Sequence, residues 1–536
     1  MKYDAIVIGS GSAGSIIATR LSEQKDKSIL LIEAGPDYEN IENLPHGIKY
    51  GYATGTNQNH STLDHDWQYI GKATKSAPEM SVPRGKVTGG SSSINGQIFF
   101  RGIPEDYDEW ASQGNHEWSY KKLLPYFRKL ETDLDFKDDF HGTEGPIMVR
   151  RNFRENLSAQ DDAFYQACLD NNYGESKDLN HPESTGVSPT PINNVKGIRW
   201  STAIGYLDLS RHRLNLTIKS NCLVKKILFH KGKAIGIEVE SKGETFEVLG
   251  NNIILSAGAI GSPHLLLLSG LGPKKQLEKH NIPIIKDMPG VGKNLNDHPI
   301  VWITYKTKKD FKLNPLTYNM QVLCRYTGKN SKFRNDMLFV MSNYAQYNQK
   351  NKYEYPAHPK NFRRRRLETK QNEKDENLAI RIIVGLWFAE SRGELSLISS
   401  DPKVHPSLNF NYLDTEFDRL RMREAVHRAI DLGQHNSFNN IIEKRINPTN
   451  EDLESDDSLN KWLLKNAMTG QHISGTCKMG PSSDETSVVN QYGKVHSVEN
   501  LFLADSSIMP HCIRANTNVT TMMIGEKMSD FFKDII

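Results

Sequence analysis

The sequence predicts an α/β fold built on a parallel sheet, and three observations carry that reading. A short β-rich run over residues 5–8 leads straight into the glycine-rich turn Gly9-Ser10-Gly11-Ser12-Ala13-Gly14. Helical spacing follows over residues 15–22, with Ile16, Ile17 and Leu21 apolar. A second strand-like run over residues 28–32 then ends in the acid Glu33. At 536 residues the chain exceeds one ordinary hydrophobic core, so a second domain is expected.

The composition bounds the rest. A hydrophobic fraction of 37% and a charged fraction of 24% fit a soluble globular protein. The net charge of +3 argues neither for nor against a polyanionic partner, and no nucleic acid partner is expected. Five widely spaced cysteines with no CxxC pair indicate neither a disulfide framework nor a zinc site, and no metal is expected. The chain enters its first strand at once, and its longest apolar run, near residues 265–268, is far short of the roughly 20 residues a membrane span needs. A cytoplasmic protein is expected, with peripheral membrane contact left open.

The glycine-rich turn has a specific physical reading. Gly9 permits the tight turn, Gly11 lets the backbone approach a pyrophosphate, and Gly14 lets helix and strand pack closely. Ser12 and Ala13 complete a loop whose N–H groups and helix dipole favour phosphate. Glu33, followed by Ala34, can accept hydrogen bonds from ribose hydroxyls and disfavours a 2′-phosphate. This is a Rossmann-like dinucleotide site, and the turn alone does not separate FAD from NAD.

A second loop points the same way. Pro83-Arg84-Gly85-Lys86-Val87-Thr88-Gly89-Gly90-Ser91-Ser92-Ser93-Ile94-Asn95-Gly96 is a poor helix or strand interior but a good close-approach loop. With it, the chain resembles the glucose–methanol–choline (GMC) family of FAD-dependent oxidoreductases, its choline dehydrogenase-like branch in particular. Residues 85–95 look like the family's first signature, and Gly258 to Gly272 like its second. His472 to Gly480, Ala504 to Pro510 and Asn516 to Glu526 look like its C-terminal block. Smaller matches lie at residues 197–201, at residues 291–295 with Asp297-His298, and at residues 391–393.

The resemblance implies an FAD domain of the GMC type interleaved with an α+β substrate domain containing an antiparallel sheet. The FAD domain is expected from residues 1–155, 218–300 and 465–536, the substrate domain from 156–217 and 301–464. It also implies cofactor contacts at Arg84, Val87 and Gly90, along the flavin at Asn95, Gly96 and Ile98, and at the adenine through Val224. Ser256, Ala257, Ala504, Asp505, Asn516 and Thr520 complete the implied set. Two departures stand out. Thr88 replaces an aliphatic residue, and Ile94 stands where some members carry a flavin-linking His, so non-covalent FAD is expected.

The coarse pattern agrees with such a layout. Residues 223–229 and 234–239 read as a hairpin, residues 252–258 and 500–505 as strands, and residues 418–432 as an amphipathic helix. The highly charged stretch at residues 352–376, including Arg363-Arg364-Arg365-Arg366, reads as a solvated insertion; a lid or a basic docking patch is the alternative.

Alcohol oxidation requires loss of a hydroxyl proton and of a hydride. A His titrates near 6.5 and suits the base role. The resemblance places the base on His472 and the second catalytic position on Asn518, whose amide can donate but cannot act as a base. The expected function is therefore FAD-dependent oxidation of a primary or secondary alcohol. The alternatives are a lyase or decarboxylase on the same fold, or a non-catalytic flavin-binding redox protein. A small alcohol is the expected substrate. The electron acceptor stays open among oxygen, a quinone and a redox protein, as does a homodimeric state. An aromatic box for a quaternary ammonium could use Trp67, Trp387, Phe388 and Tyr412, although aromatics at such spacing usually belong to a core.

Overall fold

The computed structural model describes residues 2–51, 63–312, 317–347 and 377–536. The charged stretch at residues 352–376 lies outside these described residues.

The N-terminal pattern folds as its spacing dictates. β1 (Lys2–Ile8) is buried over its last four residues, as a strand covered on both faces should be. It leads through the glycine-rich turn into α1 (Gly14–Leu21) and then β2 (Ile29–Ile32). β3 (Leu216–Lys219) pairs in parallel with β2. The hairpin strands β4 (Leu223–His230) and β5 (Lys233–Ser241) follow. Then come β6 (Glu244–Leu255), α2 (Gly258–Leu268), the short strand β7 (Leu501–Leu503) and the C-terminal helix α3 (Thr517–Lys533). The sheet order is β3-β2-β1-β6-β5-β4, with β7 beside β6. β6 serves two partners along one edge. Residues 244–249 run antiparallel to β5, and residues 253–255 run parallel to β7.

Helix α3 is pinned across this sheet by charge. Buried Glu526 receives Arg20 Nη2 at 2.7 Å, Lys129 Nζ at 2.7 Å and the Tyr206 hydroxyl at 2.7 Å. Those bonds hold α3 against α1, so the N-terminal ends of both helices converge on the glycine-rich turn.

A second, antiparallel sheet of seven strands forms the roof. Its order is Ile442–Asn447, Pro299–Thr307, Asn377–Leu386, Met337–Tyr347, Val322–Tyr326 and Gly186–Pro189, with Met468–Thr469 beside Pro299–Thr307. The amphipathic pattern at residues 418–432 becomes the helix Glu416–Gly433, capped by Thr415 Oγ1 accepting from the Asp418 N–H at 3.1 Å. Arg421 on this helix is buried and donates to Asp336 Oδ2 at 2.7 Å and to the Phe388 carbonyl at 2.9 Å. It therefore fixes the end of the central strand Asn377–Leu386, beside Trp387. Two expected segment boundaries fall inside strands. The one at 217/218 cuts β3, which belongs to the nucleotide sheet, and the one at 300/301 cuts Pro299–Thr307, which belongs to the roof. Both strands run on across the expected boundaries.

Among the described residues one group has metal-like spacing: Glu131, Asp133 and His141, all buried. It is an ion network. His141 Nδ1 lies 3.0 Å from both Glu131 Oε1 and Asp133 Oδ2, and Nε2 lies 3.0 Å from Asp178 Oδ2. Arg151 pairs with Asp133 at 2.8 Å and Asp178 at 2.7 Å, and Arg101 pairs with Glu131. Three carboxylates thus face three cations. Despite burial, the carboxylates on both ring nitrogens push the His141 pKa up to about 11. Asp133 is buried too, yet His141 and Arg151 bring it down to about 2. Removing one buried partner strands the others, at a cost of about 3–5 kcal/mol. The sign follows from linkage. The His141 contribution is complete below 6.5 and fades as pH rises through about 11. The Asp133 contribution is complete above 3.8 and fades as pH falls through about 2. His141→Gln should therefore lower the urea-unfolding free energy most between 3.8 and 6.5, with a shrinking difference from wild type in alkali.

Candidate active site

The cofactor end is built from two glycine-rich turns in backbone contact. Gly9 has φ +94°, and a Cβ there would lie 2.6 Å from the Ser256 carbonyl. A Cβ on Gly14 would lie 1.9 Å from the Gly9 carbonyl. Gly90, at φ +53°, would place its Cβ 2.6 Å from Gly11 Cα, and the Gly89 N–H donates to the Ser10 carbonyl at 2.8 Å. Gly11 differs: a Cβ there meets nothing nearer than Gly90 Cα at 3.9 Å. Space therefore opens above Gly11, at the N-terminus of α1, where N–H groups and the helix dipole favour an anion. A dinucleotide pyrophosphate fits that opening.

The other expected cofactor residues take varied places. Glu33 is buried and commits itself to the turn, accepting from the Ser10 N–H at 3.0 Å, the Ser10 hydroxyl at 2.9 Å and the Gly35 N–H at 2.9 Å. Ala34 adds a further backbone contact to it. Burial raises the Glu33 pKa, opposed by those donors. At Val224 the β4–β5 pairing slips, so a bulge sits where the adenine contact is expected. Ser256 ties β6 to the C-terminal segment through the Ala504 carbonyl at 2.9 Å. The Asp505 carboxylate accepts from the Gly258 N–H at 2.9 Å, Ser262 Oγ at 2.6 Å and the Ser507 N–H at 2.8 Å, so it braces α2. The Ala257 N–H joins the same brace through Ser262 Oγ at 3.1 Å.

Thr520 is buried against the Tyr107 hydroxyl at 2.8 Å. Val87 and Ile98 are buried, and Asn95 Oδ1 accepts from the Gln97 N–H at 3.0 Å. Gly96 receives the Tyr318 hydroxyl on its carbonyl. Arg84 turns to the loop before His472, donating to Gln471 Oε1 at 3.0 Å. Ile94 follows the 3-10 turn Gly90–Ser93. Arg199, unassigned from sequence, holds this loop by donating to the carbonyls of Ser93 at 3.0 Å and Asn95 at 3.1 Å.

The two asparagines separate. Asn518 Oδ1 accepts from Ser12 Oγ at 2.7 Å, which ties it to the glycine-rich turn and so to the phosphate end. Asn516 occupies the N-cap of α3, yet its side chain makes no capping bond; its Oδ1 is buried without a partner, as is Asn518 Nδ2. A cap residue that leaves its own helix uncapped has its amide directed elsewhere.

The reacting end is a histidine pair. His472 Nδ1 lies 2.8 Å from His298 Nδ1, and His298 Nε2 lies 2.9 Å from the Ile513 carbonyl. A carbonyl only accepts, so His298 carries its proton on Nε2. Burial pushes the His298 pKa down to about 3, so this ring is neutral and its Nδ1 offers a lone pair. His472 must then donate through Nδ1. Burial, followed by His298 and Arg84, lowers its pKa well below 6.5, which leaves the lone pair on Nε2.

Asp297 fixes the backbone beneath the pair. Its Oδ1 accepts from the His298 N–H at 2.7 Å and the His472 N–H at 2.8 Å, while Oδ2 takes the Tyr412 hydroxyl at 2.6 Å and the Thr469 hydroxyl. Trp387 stacks on His298 at 4.6 Å between ring centroids and meets His472 edge-on at 5.6 Å. Sequence reasoning singled out Asp297-His298 as part of a motif and gave neither a role. The signal available was an acid–His pair directly before a β-rich run.

The histidine pair thus carries a neutral imidazole with one unprotonated nitrogen. Family models described as GMC oxidoreductase match residues 3–300 and 389–525. The chain belongs to the GMC oxidoreductase family, and it is an FAD-dependent oxidoreductase acting on CH–OH donors.

It is 34% identical to oxygen-dependent choline dehydrogenase 1 of Chromohalobacter salexigens, over 99% of this chain and 94% of that one. It is 33% identical to oxygen-dependent choline dehydrogenase of Escherichia coli O157:H7, over 99% and 95%. Among solved structures, pyridoxine 4-oxidase from Mesorbium loti superposes with a TM-score of 0.88 at 25% identity, covering 99% of both chains. No helix among the described residues is long and apolar enough to cross a membrane.

The turn geometry separates binding from folding. Gly14→Ala, whose methyl would overlap the Gly9 carbonyl, should fail to yield folded protein. Gly11→Ala should fold with an unchanged far-ultraviolet circular dichroism spectrum but purify with little bound flavin, read from its absorbance.

Proposed function

We propose that this enzyme oxidises a small alcohol to an aldehyde or ketone, with His472 as the base and Asn516 as the donor that positions the alcohol oxygen. The observation that supports it best is the proton arrangement of the histidine pair, which leaves His472 Nε2 unprotonated. The substrate O–H bond breaks and its proton moves to Nε2. The charge then created is shared with the His298 lone pair at 2.8 Å. The carbinol C–H bond breaks with its electron pair, and the C=O bond forms. Bound FAD supplies the two-electron acceptor for that hydride.

The Asn516 amide assists by hydrogen-bonding the oxygen as charge builds on it. Asn518 is assigned to the cofactor instead, through its bond to Ser12. The N-terminus of α3, with Asn516 leaving it uncapped, favours negative charge on the bound flavin. The glycine turn, the open space above Gly11 and the uncapped helix together would hold the cofactor by non-covalent contacts. Ile94 offers no nucleophile for a covalent link. Acid precipitation should therefore leave the flavin in the supernatant.

Two kinetic outcomes follow. His472→Ala should keep its flavin and lower the rate of anaerobic flavin reduction by an alcohol about 100- to 10,000-fold. Wild-type kcat/KM should hold as pH falls through 6.5 and decline only in more acid solution, since the base titrates below that value. Asn516→Ala should reduce the same rate roughly 100-fold with flavin retained. Asn518→Ala should instead weaken flavin retention. The reverse pattern would return the positioning role to Asn518.

A further inference from the structure

The groups around His472 also define what kind of alcohol fits. Trp387 is 4% exposed, and its indole Nε1–H is buried without a hydrogen-bond partner. An indole N–H can only donate, and a buried donor left unpaired in a folded site is normally completed by a ligand. The ring is held firmly in place. Its N–H backbone group donates to the Asp336 carbonyl at 2.7 Å, one face stacks on His298, and Gly385 lies against its benzo ring, where a Cβ would approach Trp387 Cζ3 to 2.0 Å.

The same surroundings do not suit a cation. A quaternary ammonium is recognised by free aromatic faces or by a carboxylate. Of the four aromatics that could form a box, Trp67 already faces Lys86 Nζ at 4.9 Å, and Phe388 faces the Arg514 guanidinium at 4.4 Å. The Tyr412 hydroxyl is committed to Asp297, and one Trp387 face is covered by His298. Asp297 itself accepts four protein donors. On the strands beside the site, Ile300 pairs with Gly385 and Met468, none of them acidic. Arg84, bonded to Gln471 at 3.0 Å, brings a positive charge near His472, and the Asp297 carboxylate at the His472 N–H is taken up by its four donors.

We propose that the substrate is an uncharged or anionic alcohol bearing a second oxygen, which accepts a hydrogen bond from Trp387 Nε1, and that a quaternary ammonium alcohol is a poor substrate. This rests on the alcohol-oxidation reading above and narrows it.

The test is anaerobic flavin reduction of the holoenzyme by two shape-matched pairs. These are 2-methoxyethanol against butan-1-ol, and choline against its carbon isostere 3,3-dimethylbutan-1-ol. The proposal expects kcat/KM about tenfold higher for 2-methoxyethanol than for butan-1-ol. It expects choline below 3,3-dimethylbutan-1-ol. In Trp387→Phe, which keeps the stacked ring and loses the N–H, the first ratio should fall to near one. Choline exceeding its isostere tenfold, or a first ratio that survives in Trp387→Phe, would overturn the proposal while leaving alcohol oxidation intact. If the variant binds no flavin, the wild-type ratios decide alone. Flavin left oxidised by every alcohol would overturn the underlying reading as well.

Discussion

The Ile513 carbonyl can only accept a hydrogen bond, and the chemistry of the site descends from that fact. It sets the proton on His298 Nε2 at 2.9 Å, which makes His298 Nδ1 an acceptor, which makes His472 Nδ1 a donor at 2.8 Å. The free lone pair of His472 is then on the outward nitrogen. No charge is needed for this arrangement, and burial keeps both rings neutral. A lone buried imidazole could take either tautomer, whereas a pair anchored on a carbonyl takes one.

The fold supplies this arrangement by bringing three distant segments to one place. His298 precedes the roof strand Pro299–Thr307, His472 follows the short strand Met468–Thr469 paired to it, and Ile513 lies in the segment that leads into α3. Asp297 locks the first two together through their backbone N–H groups. The Asp106 carboxylate holds the third, accepting from the Arg514 N–H at 2.9 Å. The proposed base is thus placed by the seam between the nucleotide sheet and the roof, and by neither alone. The close approach of Gly11 and Gly90 does the same for the cofactor end.

Legibility in the sequence followed the range of the physics. The glycine turn, α1 and β2 were readable because their pattern is local in sequence, although only Gly14 answers to a near neighbour, Gly9, while Gly9 itself packs on Ser256. The helix Glu416–Gly433 and the hairpin β4–β5 were readable from period and turn chemistry. The proposed division of roles between Asn516 and Asn518 was not. Both are short polar residues at a helix start, and only the three-dimensional path of α3 sends one to Ser12 and leaves the other uncapped. His298 was hidden for a related reason. A histidine acting through another histidine 174 positions away has no spacing rule. Glu33 and Asp505 were read as ligand contacts, and their carboxylates also brace the backbone of the site, which the sequence did not show.

The proton arrangement of the histidine pair is open to direct observation. Nitrogen-15 NMR of histidine-labelled holoenzyme, with His472 assigned by comparison with His472→Ala, reports which ring nitrogen carries hydrogen. The account predicts a protonated Nδ1 and an unprotonated, pyridine-type Nε2 on His472 at neutral pH, with the opposite tautomer in its partner His298. A His472 protonated on Nε2, or doubly protonated at that pH, would contradict it.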